Sequence, residues 1–134
     1  MTKVYEAIVS SHGGREGEVY SQDKRFKHNI SGPGSNNKVA TNPEELFAAG
    51  YSACFNGALQ LVMKNKGLVN DSIVTAHVGL HVLPENNFHI SVVLKIFIEG
   101  MNTEKSLLLA EEAHKICPYS KALDGNVSVK LEII

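Results

Sequence analysis

The sequence lacks several features that would place it in a common functional class. Its net charge is −1, and no stripe of Lys and Arg alternates with aromatic residues, so it has no electrostatic footprint for nucleic acid. The glycine-rich segment 31–37 lacks the Lys-Ser or Lys-Thr pair of a phosphate-binding loop. The Gly-x-Ser-x-Gly motif of a hydrolase nucleophile elbow is also absent. Any chemistry must therefore come from other residues.

Cysteine is scarce. Only Cys54 and Cys117 are present, and the first residues contain no apolar run typical of a secretory signal. We therefore expect a cytoplasmic protein whose thiols stay reduced, and two thiols alone cannot form a four-ligand zinc site. The two cysteines are either inert core residues or a redox pair.

Charge is missing from one long stretch. The segment from Leu46 to Met63 has no charged residue, and its length approaches that of a membrane-spanning helix. Polar Ser52, Asn56 and Gln60 interrupt it, so we expect a helix buried within protein instead. A chain this small would have difficulty covering the stretch with its own sheets, which favours a homodimer.

The order of predicted elements indicates an α+β fold in a single domain over residues 1–134. Strands are predicted at 4–10, 17–20, 25–30, 73–83, 88–99 and 127–133, and helices at 41–66 and 103–116. Thr41 and Glu44 fit a capping box at the start of the first helix, and Gly67 ends it. We expect the sheets to be antiparallel.

The surroundings of the two cysteines differ. Cys54 lies among small residues, and taken alone it is best interpreted as a core cysteine with a raised pKa. Cys117 precedes Pro118, which can open a helical turn whose amide groups favour a thiolate; the alternative is that Cys117 merely ends the second helix.

Three motifs together resemble a known family. His12–Arg15 (HGGR), Thr41–Phe55 (TNPEELFAAGYSACF) and Cys117–Ser120 (CPYS) are similar to the organic hydroperoxide resistance (Ohr) branch of the OsmC/Ohr family. The resemblance covers nearly the whole chain in the same order, and the segment ending at Phe55 is its most specific part. It implies antiparallel sheets packed around central helices in an intertwined homodimer.

The resemblance also implies a thiol-dependent peroxidase that reduces organic hydroperoxides. Cys54 would be the peroxidatic thiol and Cys117 the resolving one, while Arg15 and Glu44 would activate Cys54 and position the peroxide. No bound cofactor is implied. The reductant would be an external dithiol, namely dihydrolipoamide or a lipoyl group on another protein.

The spacing of these residues raises a geometric difficulty. A straight helix would separate Glu44 from Cys54 by about 15 Å along its axis. We therefore expect a break near Gly50–Ser52, with Ser52 capping a second helix and Cys54 in its first turn. Glu45 stands where the family commonly has glutamine, which leaves open whether Glu44 or Glu45 pairs with Arg15.

Three aromatic residues recur at i, i+4 spacing. Phe47, Tyr51 and Phe55 are predicted to line a substrate pocket that favours peroxides with apolar tails, the alternative being that they pack the core. His77, His81 and His89 fall on paired strands, but on their more polar face, so we expect no metal site.

Three other functions remain open from the sequence. They are an OsmC-branch peroxidase with broader peroxide use, a redox sensor that signals through a Cys54–Cys117 disulfide, and a non-enzymatic binder of an apolar ligand. Steady-state consumption of peroxide with a dithiol separates turnover from sensing and from simple binding.

Overall fold

The strands and helices follow one another in the order that the sequence predicts. The computed structural model describes residues 1–134. The elements are β1 (Ser10–His12), β2 (Gly17–Tyr20), β3 (Lys27–Ile30), α1 (Pro43–Asn65), β4 (Ser72–Leu83), β5 (Asn87–Ile98), α2 (Thr103–Ile116), α3 (Pro118–Leu123) and β6 (Val129–Ile133). The chain divides into two compact units, 1–46 and 47–134. The single domain over 1–134 stays a prediction.

The first unit contains an antiparallel sheet in the order β1-β2-β3. Gly13 and Gly14 form the turn between β1 and β2 with φ angles of 86° and 62°, which side chains other than glycine rarely adopt. The backbone N–H of Glu16 donates to the Gly13 carbonyl across this turn. The predicted turn at His12–Arg15 is therefore confirmed.

The predicted first strand, 4–10, is wrong over most of its length. The ladder between β1 and β2 begins at the pair Ser10↔Tyr20, and residues 1–9 have no strand partner within the chain. The alternating pattern predicts an extended segment, but a strand also requires backbone partners, and β2 ends at Tyr20. Val4, Tyr5 and Ile8 are consequently exposed.

Helix α1 begins one residue later than the capping box predicts. Asn42 is the N-cap: its side chain accepts from the Glu45 N–H at 2.8 Å, and its carbonyl accepts from the Leu46 N–H at 3.0 Å. Thr41 instead donates from its hydroxyl to the Glu45 carboxylate at 2.6 Å. The motif is thus shifted by one residue, because Asn is as good an N-cap as Thr and Pro43 then occupies the first helical position.

The predicted break in α1 is also wrong. The helix continues without interruption through Gly50 and Ser52, and the Ser52 hydroxyl donates backwards to the Ala49 carbonyl at 3.2 Å instead of capping a new helix. Cys54 therefore lies in the interior of a long helix. The end at Gly67 is as predicted, since Gly67 has a φ of 75° and Leu68 donates back to the Met63 carbonyl.

The second unit contains a sheet in the order β4-β5-β6. Strands β4 and β5 form the predicted antiparallel hairpin, and Glu85 and Asn86 take positive φ angles in its turn. β6 pairs with β5 in parallel, which corrects the expectation of purely antiparallel sheets. The connection through α2 and α3 is long enough to return the chain to the same end of the sheet, as a parallel pair requires.

The core of the second unit lies between one face of this sheet and the helices. Its buried residues are Tyr51, Phe55, Leu59, Val62, Met63, Val74, Val92, Leu94, Ile96, Ile98, Leu109, Ala110, Ala113 and Cys117. By length and composition α1 would be able to cross a membrane. One face of α1 belongs to this core, as expected, while Leu61 on another face is half-exposed.

Candidate active site

The two cysteines lie side by side. Cys54 projects from the middle of α1, Cys117 lies between α2 and α3, and the thiol of Cys117 donates to the Cys54 sulfur at 3.7 Å. Both are reduced; Cys117 is fully buried, whereas Cys54 is only partly buried. A disulfide requires an S–S distance of about 2.05 Å, so the sulfur atoms must approach by less than about 2 Å. The pair is therefore poised for disulfide formation.

Cys117 is placed by two helices that meet at it. Its backbone N–H donates to the Ala113 carbonyl as the end of α2, and its carbonyl accepts from Lys121 as the start of α3. Pro118 occupies the first position of α3, where its missing N–H costs nothing. The helical turn predicted after Cys117 is therefore present.

Opposing influences act on the Cys54 thiol. Burial raises its pKa most, the backbone N–H of Tyr119 lowers it by donating to the sulfur, and Cys117 raises it further. The net pKa of Cys54 lies above its ordinary value. The expectation of a pKa lowered by the first turn of a second helix is thus wrong, because Cys54 lies in the interior of α1. The amide group that does favour its thiolate comes from α3.

A buried hydroxyl joins three helices beside the thiols. The Ser120 Oγ lies 2.6 Å from the Tyr51 hydroxyl and 2.8 Å from the His114 Nδ1. Burial raises the pKa of Tyr51, so its phenol stays protonated at neutral pH. His114, Tyr119 and the role of Ser120 were not predicted from the sequence, although the CPYS motif contains both Tyr119 and Ser120.

Arg15 and Glu44 form a bidentate ion pair in the first unit. The Arg15 Nη1 donates to Oε2 of Glu44 at 2.9 Å, and its Nη2 donates to Oε1 at 2.6 Å. This hydrogen-bonded pair lowers the pKa of Glu44 below its usual range. Since Glu45 is hydrogen-bonded to Thr41, the structure answers which carboxylate meets Arg15. The predicted site residues thus come together as two pairs, one in each unit.

The aromatic residues of α1 belong to the core or pack against it. Tyr51 and Phe55 are fully buried, so the alternative of core packing holds for both, whereas Phe47 is partly exposed. Phe47 and Tyr51 meet edge-on, with ring centroids 6.0 Å apart. Tyr119 adds a further ring, with its centroid 5.6 Å from that of Tyr51.

Other polar residues singled out in the sequence have local partners. Asn56 exchanges two hydrogen bonds with Ser72, which tie α1 to the start of β4. The His81 Nε2 lies 2.8 Å from the Ser91 Oγ across the hairpin. No three His, Cys, Asp or Glu side chains are grouped to hold a metal ion.

Comparison with known proteins identifies the family. Residues 32–132 match the OsmC-like protein family. The organic hydroperoxide resistance protein OhrA of Bacillus subtilis is 41% identical over 135 residues, which cover 97% of this chain and 96% of OhrA. This chain belongs to the OsmC/Ohr family.

Solved structures of organic hydroperoxide resistance proteins share the fold of this chain. The crystal structure of OhrB from Bacillus subtilis matches with a TM-score of 0.92 at 40% identity, covering 98% of this chain and all of that one. An organic hydroperoxide resistance protein from Legionella pneumophila matches with a TM-score of 0.91, also at 40% identity and over 98% of both chains. The resemblance to the Ohr branch and the α+β class are both confirmed.

Proposed function

We propose that this OsmC/Ohr-family protein is a cysteine-based peroxidase that reduces organic hydroperoxides to alcohols. The observation that carries the proposal is the pair of reduced thiols, 3.7 Å apart, in a chain whose relatives are named for organic hydroperoxide resistance. Peroxide detoxification is the role these names indicate. Because Cys54 is partly exposed and Cys117 is fully buried, we assign the reaction with peroxide to Cys54 and the formation of the disulfide to Cys117.

The reaction divides into two covalent steps. The Cys54 thiolate attacks one peroxide oxygen: an S–O bond forms, the O–O bond breaks, and the departing alkoxide takes a proton to become the alcohol. The Cys117 thiol then attacks the Cys54 sulfenic acid, so that an S–S bond forms and the hydroxyl leaves with the thiol proton as water. The peroxide is reduced, and the two thiols are oxidised to a disulfide.

An external dithiol closes the cycle. Because Cys117 is fully buried, the reductant attacks the Cys54 sulfur, which retains access to solvent. A second thiol on the same reductant then displaces the mixed disulfide and restores both protein thiols. Dihydrolipoamide, or a lipoyl group on another protein, has this chemistry, and the protein would act with it in the cytoplasm without a bound cofactor.

Arg15 and Glu44 are proposed to serve the same reaction. A guanidinium keeps its charge at all relevant pH values, so it can favour the Cys54 thiolate and orient the peroxide. Glu44 fixes the plane of the Arg15 guanidinium through its two hydrogen bonds.

A homodimer is the proposed assembly. The far half of the β4–β5 hairpin carries exposed Leu80, Val82 and Phe88, which lie on the same face as the buried core residues of the sheet. In the first unit, residues 1–9 are also exposed and have no strand partner. A second copy that covers both surfaces in an intertwined arrangement would bury apolar area and pair open backbone.

The proposed substrate class follows from apolar walls near Cys54. Each buried methylene contributes about 0.8 kcal/mol, and about 1.4 kcal/mol corresponds to a factor of ten in rate. If Phe47, the partly exposed member of the three aromatic residues, helps to bind two methylenes in the transition state, kcat/KM for a fatty-acid or cumene hydroperoxide should exceed that for hydrogen peroxide by at least about tenfold.

A steady-state assay with dihydrolipoamide tests the proposal. Cys54→Ser should abolish peroxide reduction, whereas Cys117→Ser should give one fast oxidation and then accumulate sulfinic and sulfonic acid at Cys54. Full turnover in Cys54→Ser would refute the mechanism. Disulfide formation without turnover would indicate a redox sensor, and equal use of hydrogen peroxide would indicate the broader OsmC-type activity.

A further inference from the structure

Gly50 lies in the interior of a continuous helix, where glycine is unfavourable. Replacing alanine by glycine at such a position costs about 1 kcal/mol. Since α1 neither bends into two helices nor ends there, and Gly50 has no positive φ angle, conformational freedom does not explain the residue. The reason for it lies in what surrounds it.

The space that a side chain would occupy at Gly50 is already filled. A Cβ atom there would lie 2.8 Å from the Tyr119 hydroxyl oxygen and 3.3 Å from its Cε2. Gly57, two turns further along the same helix, has no atom within 4 Å of the same position. Close approach of Tyr119 is therefore particular to Gly50.

Tyr119 packs on α1 at the edge of an aromatic cluster. Its ring centroid lies 6.1 Å from that of Phe47 and 5.6 Å from that of Tyr51, while the residue is 39% exposed. Its backbone follows Cys117 and Pro118 at the beginning of α3, and its own N–H donates to the Cys54 sulfur. One residue thus packs against α1 through its ring and contacts the reacting thiol through its backbone.

We propose that Gly50 is a positioning residue for the thiol site: its missing side chain lets the Tyr119 ring pack on α1, and this packing holds the Tyr119 N–H against the Cys54 sulfur. The inference rests on the proposed function in one respect, that the Cys54 thiolate is the nucleophile. Gly50 itself is proposed to contact neither the peroxide nor the thiols. It acts through Tyr119.

Adding a methyl group at position 50 should therefore weaken the hydrogen bond to Cys54. In Gly50→Ala the ring must move away from α1, which removes the packing proposed to hold the Tyr119 backbone against Cys54. The thiolate loses a donor that the neutral thiol needs less, so the pKa of Cys54 should rise. Because the pKa of Cys54 already lies above its ordinary value, a further rise lowers the thiolate fraction at neutral pH in proportion.

The experiment measures the rate of alkylation of Cys54 by iodoacetamide as a function of pH, in a Cys117→Ser background with a single thiol. Gly57→Ala is the matched control in the same helix. We expect Gly50→Ala to react about threefold more slowly at pH 7 but equally fast above the pKa, and Gly57→Ala to be unchanged. Gly50→Ala combined with Tyr119→Phe should recover part of the loss, because the oxygen nearest the new methyl group is gone.

Tyr119→Ala provides a second test that leaves Gly50 in place. Without its ring the residue is no longer packed on α1, so the pKa of Cys54 should rise in this variant as well. An unchanged pKa in Tyr119→Ala, or equal titration curves for Gly50→Ala and Gly57→Ala, would overturn the inference. Because alkylation requires no peroxide, this result is independent of whether the protein proves to be a peroxidase.

Discussion

Cys54 and Cys117 are chemically identical side chains in unequal surroundings. Solvent reaches Cys54, which is partly exposed, but not Cys117, which is fully buried. Burial alone would leave Cys54 a slow nucleophile, because it raises the pKa of the thiol. The amide of Tyr119 counters part of that effect, and the proposed role of Arg15 is to supply the remainder.

This role of Arg15 gives a prediction about pH. Arg15→Ala should raise the pKa of Cys54 and slow its oxidation more at neutral pH than at high pH, where the thiol is ionised in any case. Stopped-flow oxidation by cumene hydroperoxide across the pH range measures the effect. Arg15→Lys is the control that keeps the charge and loses the bidentate geometry. Identical pH profiles for Arg15→Ala and the wild type would exclude Arg15 as the activating cation.

Glu44 gives a separate prediction about stability. Arg15 lowers the pKa of Glu44 in the folded protein, so the stability that the ion pair contributes is present above the ordinary carboxyl pKa. It is lost as the pH falls through the lower folded-state pKa. Glu44→Gln should therefore be less stable than the wild type at pH 7, and the difference should shrink under acid conditions. Urea unfolding at several pH values measures it, and a difference independent of pH would contradict the assignment.

Among the elements, α3 is hydrogen-bonded to both α1 and α2 through one buried hydroxyl, that of Ser120. Ser120→Ala should destabilise the protein by about 1–3 kcal/mol, because the buried Tyr51 hydroxyl and the His114 ring both lose a partner. Ser106→Ala is a matched control, since the Ser106 hydroxyl is buried but has no hydrogen-bond partner. Its removal should be neutral or stabilising. Equal losses in the two variants, measured by chemical denaturation, would argue against the attachment.

The sequence predicts most elements because their signals are local. Strong turn and cap residues fix the bounds of α2 and of the β4–β5 hairpin. The parallel pairing of β6 depends on a crossover, which no local pattern specifies. The break near Gly50 is predicted from the separation of Glu44 and Cys54 along the helix, and it is wrong. The residue that accounts for Gly50, Tyr119, is distant in sequence.

The candidate site could be predicted from the sequence only in part. Cys54, Cys117, Arg15 and Glu44 were identified through the family resemblance, and the structure brings them together as two pairs. The hydrogen bonds of Ser120 were not predictable, because they join three helices that come together only in the folded chain.

At the scale of the whole molecule, the exposed half of the β4–β5 hairpin predicts self-association. Phe88→Glu should weaken the homodimer, because Phe88 is 58% exposed in the single chain and lies on the core face of the sheet. Ile73→Glu is the matched control, since Ile73 is 59% exposed on the opposite face. Light scattering at micromolar concentration measures the mass. A wild-type monomer, or equal effects of the two variants, would contradict the proposed assembly.

The central position of β5 in its sheet also determines which amides exchange most slowly with solvent. Over Val92–Ile96, β5 pairs with β4 on one edge and with β6 on the other, and its Val92, Leu94 and Ile96 are buried. An amide takes up deuterium only when its hydrogen bond is broken, so the amides of this doubly paired segment should exchange only through global unfolding. Residues 4–9, which have no ladder within the chain, should label at once in a monomer. If a second copy pairs with them, their labelling should slow as the protein concentration rises. The exchange rate of these amides would then report on dimer formation.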